Sequence, residues 1–326
     1  MPISKSKRNK KSLRLVLPAT SANLGPAFDA AALAFNLFLK IEASEAEEFS
    51  VVAHGRDAEI CATKQDHLIL NTYEQVLREA GKRVMPLALV IDNEMPIGKG
   101  CGSSAAARLA GIALAVHFGN LRWSDARIVG EASRREHHPD NAAACWRGGL
   151  AVARMAESGE ASVAIVRPKG SWPLLLAVPA ESLPTEEARS VLPSHYLRSD
   201  AVNNVQNSML LLAAFVQGRP ELLGQVLEDR MHQPYRAGLC PLLPALQRLA
   251  GQNGIVGVAL SGAGPSVLVF LDPRSNAEKA KKLVAAHLQK VKQPAELFSA
   301  EITLAGGRDS AQWKRRDSAG KRPARG

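Results

Sequence analysis

Apolar residues recur along this chain with two different periods, which predicts a mixture of strands and helices. Short aliphatic runs predict strands at 13–17, 49–54, 87–91, 149–154, 162–167 and 174–178, two more within 256–271, and a last one at 297–304. Helical spacing predicts helices at 66–80, 105–117, 124–136 and 277–288, and a largely helical stretch at 185–252 that prolines interrupt. Strands and helices do not alternate strictly, so the pattern favours an α+β fold over a doubly wound parallel sheet.

One connection between a predicted strand and a predicted helix is unusually rich in glycine. Residues 95–107 read MPIGKGCGSSAAA and separate the strand at 87–91 from the helix at 105–117. Such a loop directs backbone N–H groups and the positive end of a helix dipole at its occupant, which predicts an anion. The spacing matches neither GxxxxGK[ST] nor GxGxxG, so it indicates neither a P-loop nor a Rossmann fingerprint. From the loop alone, an ordinary tight turn is the alternative.

The positive charge of the chain is concentrated at its two ends. The 326 residues carry a formal charge of +10. Residues 1–14 hold six basic and no acidic side chains, and residues 308–326 hold seven basic and two acidic ones, so the rest is nearly neutral. We therefore predict basic disordered tails at 1–12 and 307–326, and no specific nucleic-acid partner. Weak, salt-sensitive contacts with polyanions are the alternative use of these tails.

The cysteines and the hydropathy pattern indicate the cellular compartment of the protein. Cys61, Cys101, Cys145 and Cys240 lie far apart with no CxxC pair, which excludes the usual zinc and redox motifs and suits a reducing compartment. No apolar run approaches the roughly 20 residues that span a bilayer, and the basic start is not followed by an apolar segment. We predict a cytoplasmic protein without membrane contact.

Three stretches, in order along the chain, resemble motifs of the GHMP kinase family. They are LPATSANLGPAFDA at 17–30, MPIGKGCGSSAAA at 95–107 and VALSGAGPSVLVF at 258–270. The resemblance implies a two-lobed α+β fold with a ribosomal-protein-S5-like N-terminal lobe and a ferredoxin-like C-terminal lobe. It implies an ATP-binding domain at 13–168, a C-terminal domain at 169–306 and an active site between them. It also implies a homodimer, which no feature of the sequence itself indicates.

Three further stretches resemble the branch of the family that phosphorylates the side-chain hydroxyl of L-homoserine with ATP. They are REHHPDNAAA at 135–144, PTEEARSVLP at 184–193 and EDRMHQPYR at 228–236. Two alternatives stay open. Another small-molecule kinase of the family would act on a different alcohol. A non-catalytic relative would be expected to lack the loop serines or the metal carboxylate, whereas Ser103, Ser104 and Glu136 are all present.

For ATP, the resemblance implies contacts from two glycine-rich loops and from His67, at the position near the adenine. The residues are Pro96, Gly98, Lys99, Gly100, Gly102, Ser103, Ser104 and His67, with Ser261, Gly262 and Gly264 in the C-terminal loop. Glycines allow close approach of the backbone to a phosphate, and serine hydroxyls can serve phosphate or a cation. His67 stands where the family usually has asparagine, and Lys99 adds a charge beside the nucleotide, although a solvated lysine is equally compatible with the pattern.

For the substrate, the resemblance implies a pocket formed by Asn23, Asp29, His138, Asn141, Arg189 and Arg236. The residue types suit an amino acid. The planar guanidinium of Arg189 or Arg236 can grip a carboxylate, and Asp29 suits an ammonium group. Taken alone, the arginines could be solvated surface residues, and Asn23 and Asp29 could cap a turn.

Magnesium needs hard oxygen ligands, and the resemblance implies Ser104 and Glu136. Glu131, about a turn and a half earlier on the predicted helix, is the second choice. Several relatives have an aspartate base near the acceptor, and Asn141 stands at the matching place. An asparagine side chain does not accept a proton at neutral pH, so we hypothesise that no dedicated base acts.

Overall fold

The computed structural model describes residues 11–63, 65–157 and 159–310. The strands there are β1 (Ser12–Asn23), β2 (Ala27–Glu45), β3 (Ser50–Gly55), β4 (Leu87–Asn93), β5 (Leu150–Met155), β6 (Ala161–Val166), β7 (Pro173–Val178), β8 (Ile255–Leu260), β9 (Val267–Leu271) and β10 (Glu296–Glu301). The helices are α1 (Ala58–Ala62), α2 (Leu68–Glu79), α3 (Ser103–Phe118), α4 (Asp125–Glu136), α5 (Asp140–Arg147), α6 (Thr185–Ser190), α7 (Arg198–Gln217), α8 (Leu223–Val226), α9 (Gln233–Arg236), α10 (Leu242–Gln247) and α11 (Ala277–Lys290). None of these helices is both long and apolar enough to cross a membrane.

The long strand β2 organises the first sheet. Strand β1 runs antiparallel to it from Ser12, opposite Ser44, to Asn23, opposite Ala27. The remaining strands follow the order β3-β4-β2-β5-β6, in which only β3 and β4 are parallel. Because β1 ends at Asn23 and β2 begins at Ala27, the first sequence motif forms the tight connection between these two strands.

Strands β7 to β10 form a second, antiparallel sheet in the order β10-β7-β9-β8. Side chains of α10 and α11, such as Leu246 and Val284, pack with Val258 and Val269 of the sheet in a core of their own. The third sequence motif is the connection between β8 and β9. After β10 the chain returns to the first sheet, where Ile302 bridges to Phe35 of β2.

Helix α3, which follows the glycine-rich loop, is largely buried in the part of the molecule that contains the first sheet. Most side chains of α3 are buried, and they are mainly alanine and leucine. A Cβ on Gly111 would lie 2.5 Å from the carbonyl oxygen of Ile69, so glycine permits the close approach of α2. This packing fixes the N-terminus of α3, and with it the loop, relative to the sheet.

The predicted α+β class with two lobes is confirmed, but three details differ. The sequence pattern does not predict β2, because small and polar residues break the alternation in AFDAAALAFNLFLKIEASE. The predicted strand at 13–17 covers only part of β1, which continues as far as Asn23. After α4, residues 137–139 lead into a further helix, α5, which the sequence pattern does not predict.

The folded body extends further at both ends than the predicted tails allow. Ser12 is the first residue of β1, and Gly307–Asp309 forms a 3-10 turn. Gly307 is buried against Trp146, and the Ser310 hydroxyl accepts a hydrogen bond from the backbone N–H of Val16. The remainder of each predicted tail, 1–10 and 311–326, lies outside the described residues. The domain division near residue 168 stays a prediction.

Candidate active site

The three sequence motifs meet at a cleft between the two sheets. A cavity of about 160 Å³ is lined by the β1–β2 turn, the glycine-rich loop, the segment from Glu136 to Asn141, helix α6 and the β8–β9 loop. Arg236 of α9 also reaches it. Segments from both halves of the chain therefore face one cleft.

The glycine-rich loop needs glycine for two physical reasons. Gly98, Gly100 and Gly102 all have φ between +69° and +78°, a region that favours glycine. A Cβ on Gly100 would overlap the carbonyl oxygens of Ser261 and Gly264 in the facing loop. The Ser261 hydroxyl also donates to the carbonyl oxygen of Gly100 at 2.7 Å. The two glycine-rich loops are thus packed directly against each other at the N-terminus of α3.

Gly100→Ala and Gly98→Ala form a matched pair of variants, since both positions have positive φ. Only at Gly100 would the added methyl meet backbone atoms, because the nearest atom to a Cβ on Gly98 is Ser182 Cβ at 3.6 Å. Left-handed strain costs about 1–2 kcal/mol at either position, and overpacking adds about 1–3 kcal/mol at Gly100. We expect Gly100→Ala to lower the free energy of unfolding in denaturant titrations by clearly more than Gly98→Ala. Equal losses would contradict this packing.

The carboxylate predicted to hold metal lies beside the predicted serine. The Ser104 hydroxyl donates to Glu136 Oε1 at 2.7 Å, and Arg108 Nε contacts the same oxygen at 2.5 Å. Glu131 instead pairs with Arg134 and Arg135 and does not line the cavity. Ser104 and Glu136 thus bring two side-chain oxygens together at the mouth of the loop.

Lys99 does not face the cleft. Its ammonium group donates to the carbonyl oxygens of Pro179 at 3.0 Å and Ala180 at 2.8 Å, just after β7. The contact joins the glycine-rich loop to the second sheet. Lys99 thus holds the loop in place, and its charge is already satisfied by two carbonyl groups.

An apolar pocket of about 440 Å³ adjoins the loop and is lined by side chains including Leu39, Ile60 and Met95. His67 lines it too, but both of its ring nitrogens are engaged locally. Nε2 lies 3.0 Å from the carbonyl oxygen of Cys61, and Nδ1 accepts from the backbone N–H of Leu70 as the N-cap of α2. Burial lowers the pKa of His67, so the ring is neutral and its polar edge is occupied by the backbone.

Two arginines and an aspartate line the opposite part of the cleft. The Arg189 guanidinium makes a bidentate ion pair with Asp29, with N–O distances of 2.7 and 3.1 Å. Arg236 is 1% exposed, and its Nε donates to the carbonyl oxygen of Ala188. The guanidinium carbons of Arg189 and Arg236 each lie 5.5 Å from the ring centre of Phe28. Two cations and one anion therefore converge around a single aromatic ring.

The start of α5 brings a buried carboxylate, Asp140, that the sequence analysis missed. Asp140 Oδ1 lies 2.7 Å from Nδ1 of His138, while its Oδ2 is buried without a hydrogen-bond partner. Burial lowers the pKa of His138, but the hydrogen bond and negative charge of Asp140 outweigh burial and raise it overall. The signal available was position alone, since Asp140 lies between His138 and Asn141 in the same motif.

The two predicted asparagines take different places. Asn141 Oδ1 accepts from the Thr20 hydroxyl at 2.7 Å, which turns its NH₂ group away from Thr20. Asn23 accepts from the backbone N–H of Asp29 and donates to the carbonyl oxygen of Gly262. Asn23, with a φ of +70°, thus ties the first motif to the third one.

Comparison with known proteins agrees with the sequence resemblance. Residues 67–149 match the GHMP kinases N terminal domain, and residues 211–290 match the GHMP kinases C terminal model. The chain is 46% identical over 259 residues to a homoserine kinase of Solibacter usitatus, covering 79% of this chain and 84% of that protein. It is 35% identical over 259 residues to a homoserine kinase of Deinococcus radiodurans, with the same coverage of 79% and 84%.

Solved structures share the fold. A homoserine kinase from Cytophaga hutchinsonii superposes with a TM-score of 0.77 at 22% identity, covering 92% of this chain and 98% of that one. A mevalonate kinase from L. major superposes with a TM-score of 0.70 at 15% identity, covering 93% and 100%. The fold and the paired glycine-rich loops thus define an ATP-dependent small-molecule kinase of the GHMP type. Within that class, the chain belongs to the homoserine kinase family.

Proposed function

We propose that the chain transfers the terminal phosphoryl group of ATP to the side-chain hydroxyl of L-homoserine, giving O-phospho-L-homoserine and ADP on the route to threonine. One observation carries the choice of substrate: the guanidinium groups of Arg189 and Arg236 and the carboxylate of Asp29 line the same cleft as the glycine-rich loop. Arg189 and Arg236 suit the carboxylate of an amino acid, and Asp29 suits its ammonium group.

The nucleotide is proposed to lie along the glycine-rich loop. Ser103, Ser104 and Ala105 at the N-terminus of α3 line the cleft, and the backbone N–H groups of such a helix start suit phosphate oxygens. The apolar pocket beside the loop is large enough for a purine. His67 contributes to this pocket by shape, because its ring nitrogens are bonded to the backbone. Lys99 acts by holding the loop against the second sheet.

The oxygens of Ser104 and Glu136 suit a magnesium ion. Both are hard ligands at the mouth of the loop, and the Glu136 side chain is 12% exposed. A bound Mg²⁺ would neutralise charge on the phosphates. The chain itself orients both reactants: the loop holds one, and Arg189, Arg236 and Asp29 hold the other. Phosphoryl transfer depends mainly on such positioning.

No side chain is proposed as a dedicated base for the hydroxyl proton. Asn141 accepts a hydrogen bond from Thr20, so its NH₂ group is available to the substrate hydroxyl or to a phosphate oxygen. The proton would then pass to phosphate or solvent late in the reaction.

Asn141→Asp tests this absence of a base. We expect kcat to fall by about tenfold, because a negative charge replaces an N–H donor next to the phosphates. The measurement is kcat as a function of pH. A rise in kcat, with a new acidic limb in the profile, would show that a carboxylate base matters.

Release of ADP, measured with a panel of hydroxylated compounds, tests the proposed substrate. We expect L-homoserine to stimulate ADP release well above serine, mevalonate and simple sugars. 4-Hydroxybutanoate lacks the ammonium group and 3-amino-1-propanol lacks the carboxylate, so both should be poor acceptors. Stimulation by mevalonate or a sugar instead would indicate a kinase for a different alcohol.

We also propose a cytoplasmic homodimer. The four cysteines are unpaired, as expected in a reducing compartment. The dimer rests on family resemblance alone. Light scattering on the purified chain tests it, and a mass of about 35 kDa would contradict it.

A further inference from the structure

The side chain of His232 is completely buried between the start of α9 and the β1–β2 turn. Its Nε2 lies 2.8 Å from the carbonyl oxygen of Gly25, and its Nδ1 lies 3.2 Å from Arg236 Nη1. A guanidinium group can donate but cannot accept, so Nδ1 must be the acceptor. Nε2 then carries the hydrogen and donates to Gly25. Both contacts are satisfied together by one tautomer of the neutral imidazole.

The carboxylate of Asp229 fixes this tautomer and the backbone beside it. It accepts hydrogen bonds from the backbone N–H groups of Met231, His232 and Gln233, at 2.9, 3.0 and 2.6 Å. Its Oδ2 also lies 3.4 Å from Nε2 of His232, which favours the hydrogen on that nitrogen. The start of α9 is thus held by one buried group.

The faces of the imidazole are also constrained. The ring of Phe28 stacks on it, with centroids 5.3 Å apart and planes inclined by 24°. Burial lowers the pKa of His232 and, together with the charge of Arg236, outweighs the opposing effects of Asp229, Asp29 and the Gly25 carbonyl. The ring is therefore neutral at neutral pH and fixed in orientation.

The fixed imidazole of His232 holds the guanidinium group of Arg236 in one orientation. Nε donates to the carbonyl oxygen of Ala188 and one Nη1 hydrogen is directed at His232. Three of the five guanidinium N–H groups remain, and the residue lines the cleft. Rotation of the guanidinium plane would break both bonds, so the remaining donors keep one direction.

We infer that His232 is a positioning residue. Its Nδ1 holds the Arg236 guanidinium so that the remaining N–H groups of the guanidinium meet the substrate carboxylate. The Nε2–H group of His232 anchors the imidazole ring to the carbonyl oxygen of Gly25. This inference deepens the proposed function and rests on it. Since Arg236 is assigned to the amino acid, loss of the Nδ1 contact should weaken homoserine binding and leave ATP binding unchanged.

Two variants separate the two nitrogens. His232→Asn can keep an acceptor near the position of Nδ1, and His232→Gln can keep a donor near the position of Nε2. We expect His232→Gln to raise the KM for homoserine by about tenfold with an unchanged KM for ATP. We expect His232→Asn to stay within about threefold of the wild type. His54→Gln, at an exposed position of β3, is the control for the histidine-to-glutamine substitution itself.

Equal changes in the two variants, or a KM for ATP that rises with that for homoserine, would overturn the inference. Wild type is assayed alongside, and its failure to phosphorylate homoserine would count against the proposed function instead. A measurement without any variant guards against misfolding: the ¹⁵N chemical shifts of the His232 ring report its tautomer. A hydrogen on Nε2 supports the inference, and one on Nδ1 overturns it.

Discussion

Arg236→Gln is expected to lower kcat/KM for homoserine by at least about 30-fold, while the KM for ATP stays close to that of the wild type. Truncating one partner of a buried, hydrogen-bonded charge pair costs about 2–5 kcal/mol, and each 1.4 kcal/mol corresponds to about tenfold. Arg236 is 1% exposed, so solvent does not screen its charge. Steady-state kinetics with each substrate varied in turn provides the measurement.

Arg230→Gln is the matched control for this change. Arg230 lies six positions earlier, its side chain is half exposed, and it pairs with Glu228 at the surface. Removing its charge should change kcat/KM for homoserine by less than about twofold, as expected for a surface ion pair. Similar losses in both variants, or a rise in the KM for ATP with Arg236→Gln, would show that Arg236 does not bind the amino acid.

Glu136→Gln is expected to lower kcat by about 100-fold at saturating Mg²⁺ and to raise the magnesium concentration needed for half-maximal rate. The substitution keeps the shape but removes the charge that a hard cation requires, and such metal-based stabilisation amounts to several kcal/mol. The measurement is the rate of ADP release as a function of Mg²⁺ concentration at fixed ATP and homoserine.

Glu131→Gln distinguishes the two carboxylates considered for the metal. Glu131 pairs with Arg134 and Arg135 and does not line the cleft. Its substitution should lower thermal stability, because the Glu131 side chain is only 15% exposed and pairs with two arginines, and should leave the magnesium dependence within about twofold of the wild type. If Glu131→Gln shifted the magnesium dependence and Glu136→Gln did not, the assignment of the metal site would be reversed.

Elements with strong local signals could be predicted from the sequence. Helix α4 begins after Ser124, whose hydroxyl accepts from the backbone N–H of Arg127 as an N-cap should. The sequence pattern does not predict helix α5, because this helix has only eight residues and begins at Asp140, within the polar segment 137–141. Five of its buried residues, 142–146, are consecutive in sequence, so they show no helical spacing that a sequence pattern could reveal. Tertiary packing, rather than local preference, decides such short helices.

The sequence predicts many of the residues that form the site, but not which partners each of them contacts. The order of the motifs predicts that the glycine-rich loop, Asp29 and Arg189 belong to one site. It does not predict the direct ion pair between Asp29 and Arg189, which are 160 positions apart in sequence. The charge of Lys99 suggests a phosphate, whereas the fold offers it two carbonyl groups from the end of β7. The burial of Asp140 likewise depends on how α5 packs. Sequence gives the residue types, and the fold decides which of them meet.

The most direct test of the account is a crystal structure of the chain with L-homoserine and a non-hydrolysable ATP analogue. We predict the triphosphate within hydrogen-bonding distance of the backbone N–H groups between Gly98 and Ser104. The homoserine carboxylate should contact Arg236 or Arg189, with its hydroxyl directed at the terminal phosphate. A triphosphate bound away from this loop, or an amino acid that touches neither arginine, would contradict the account.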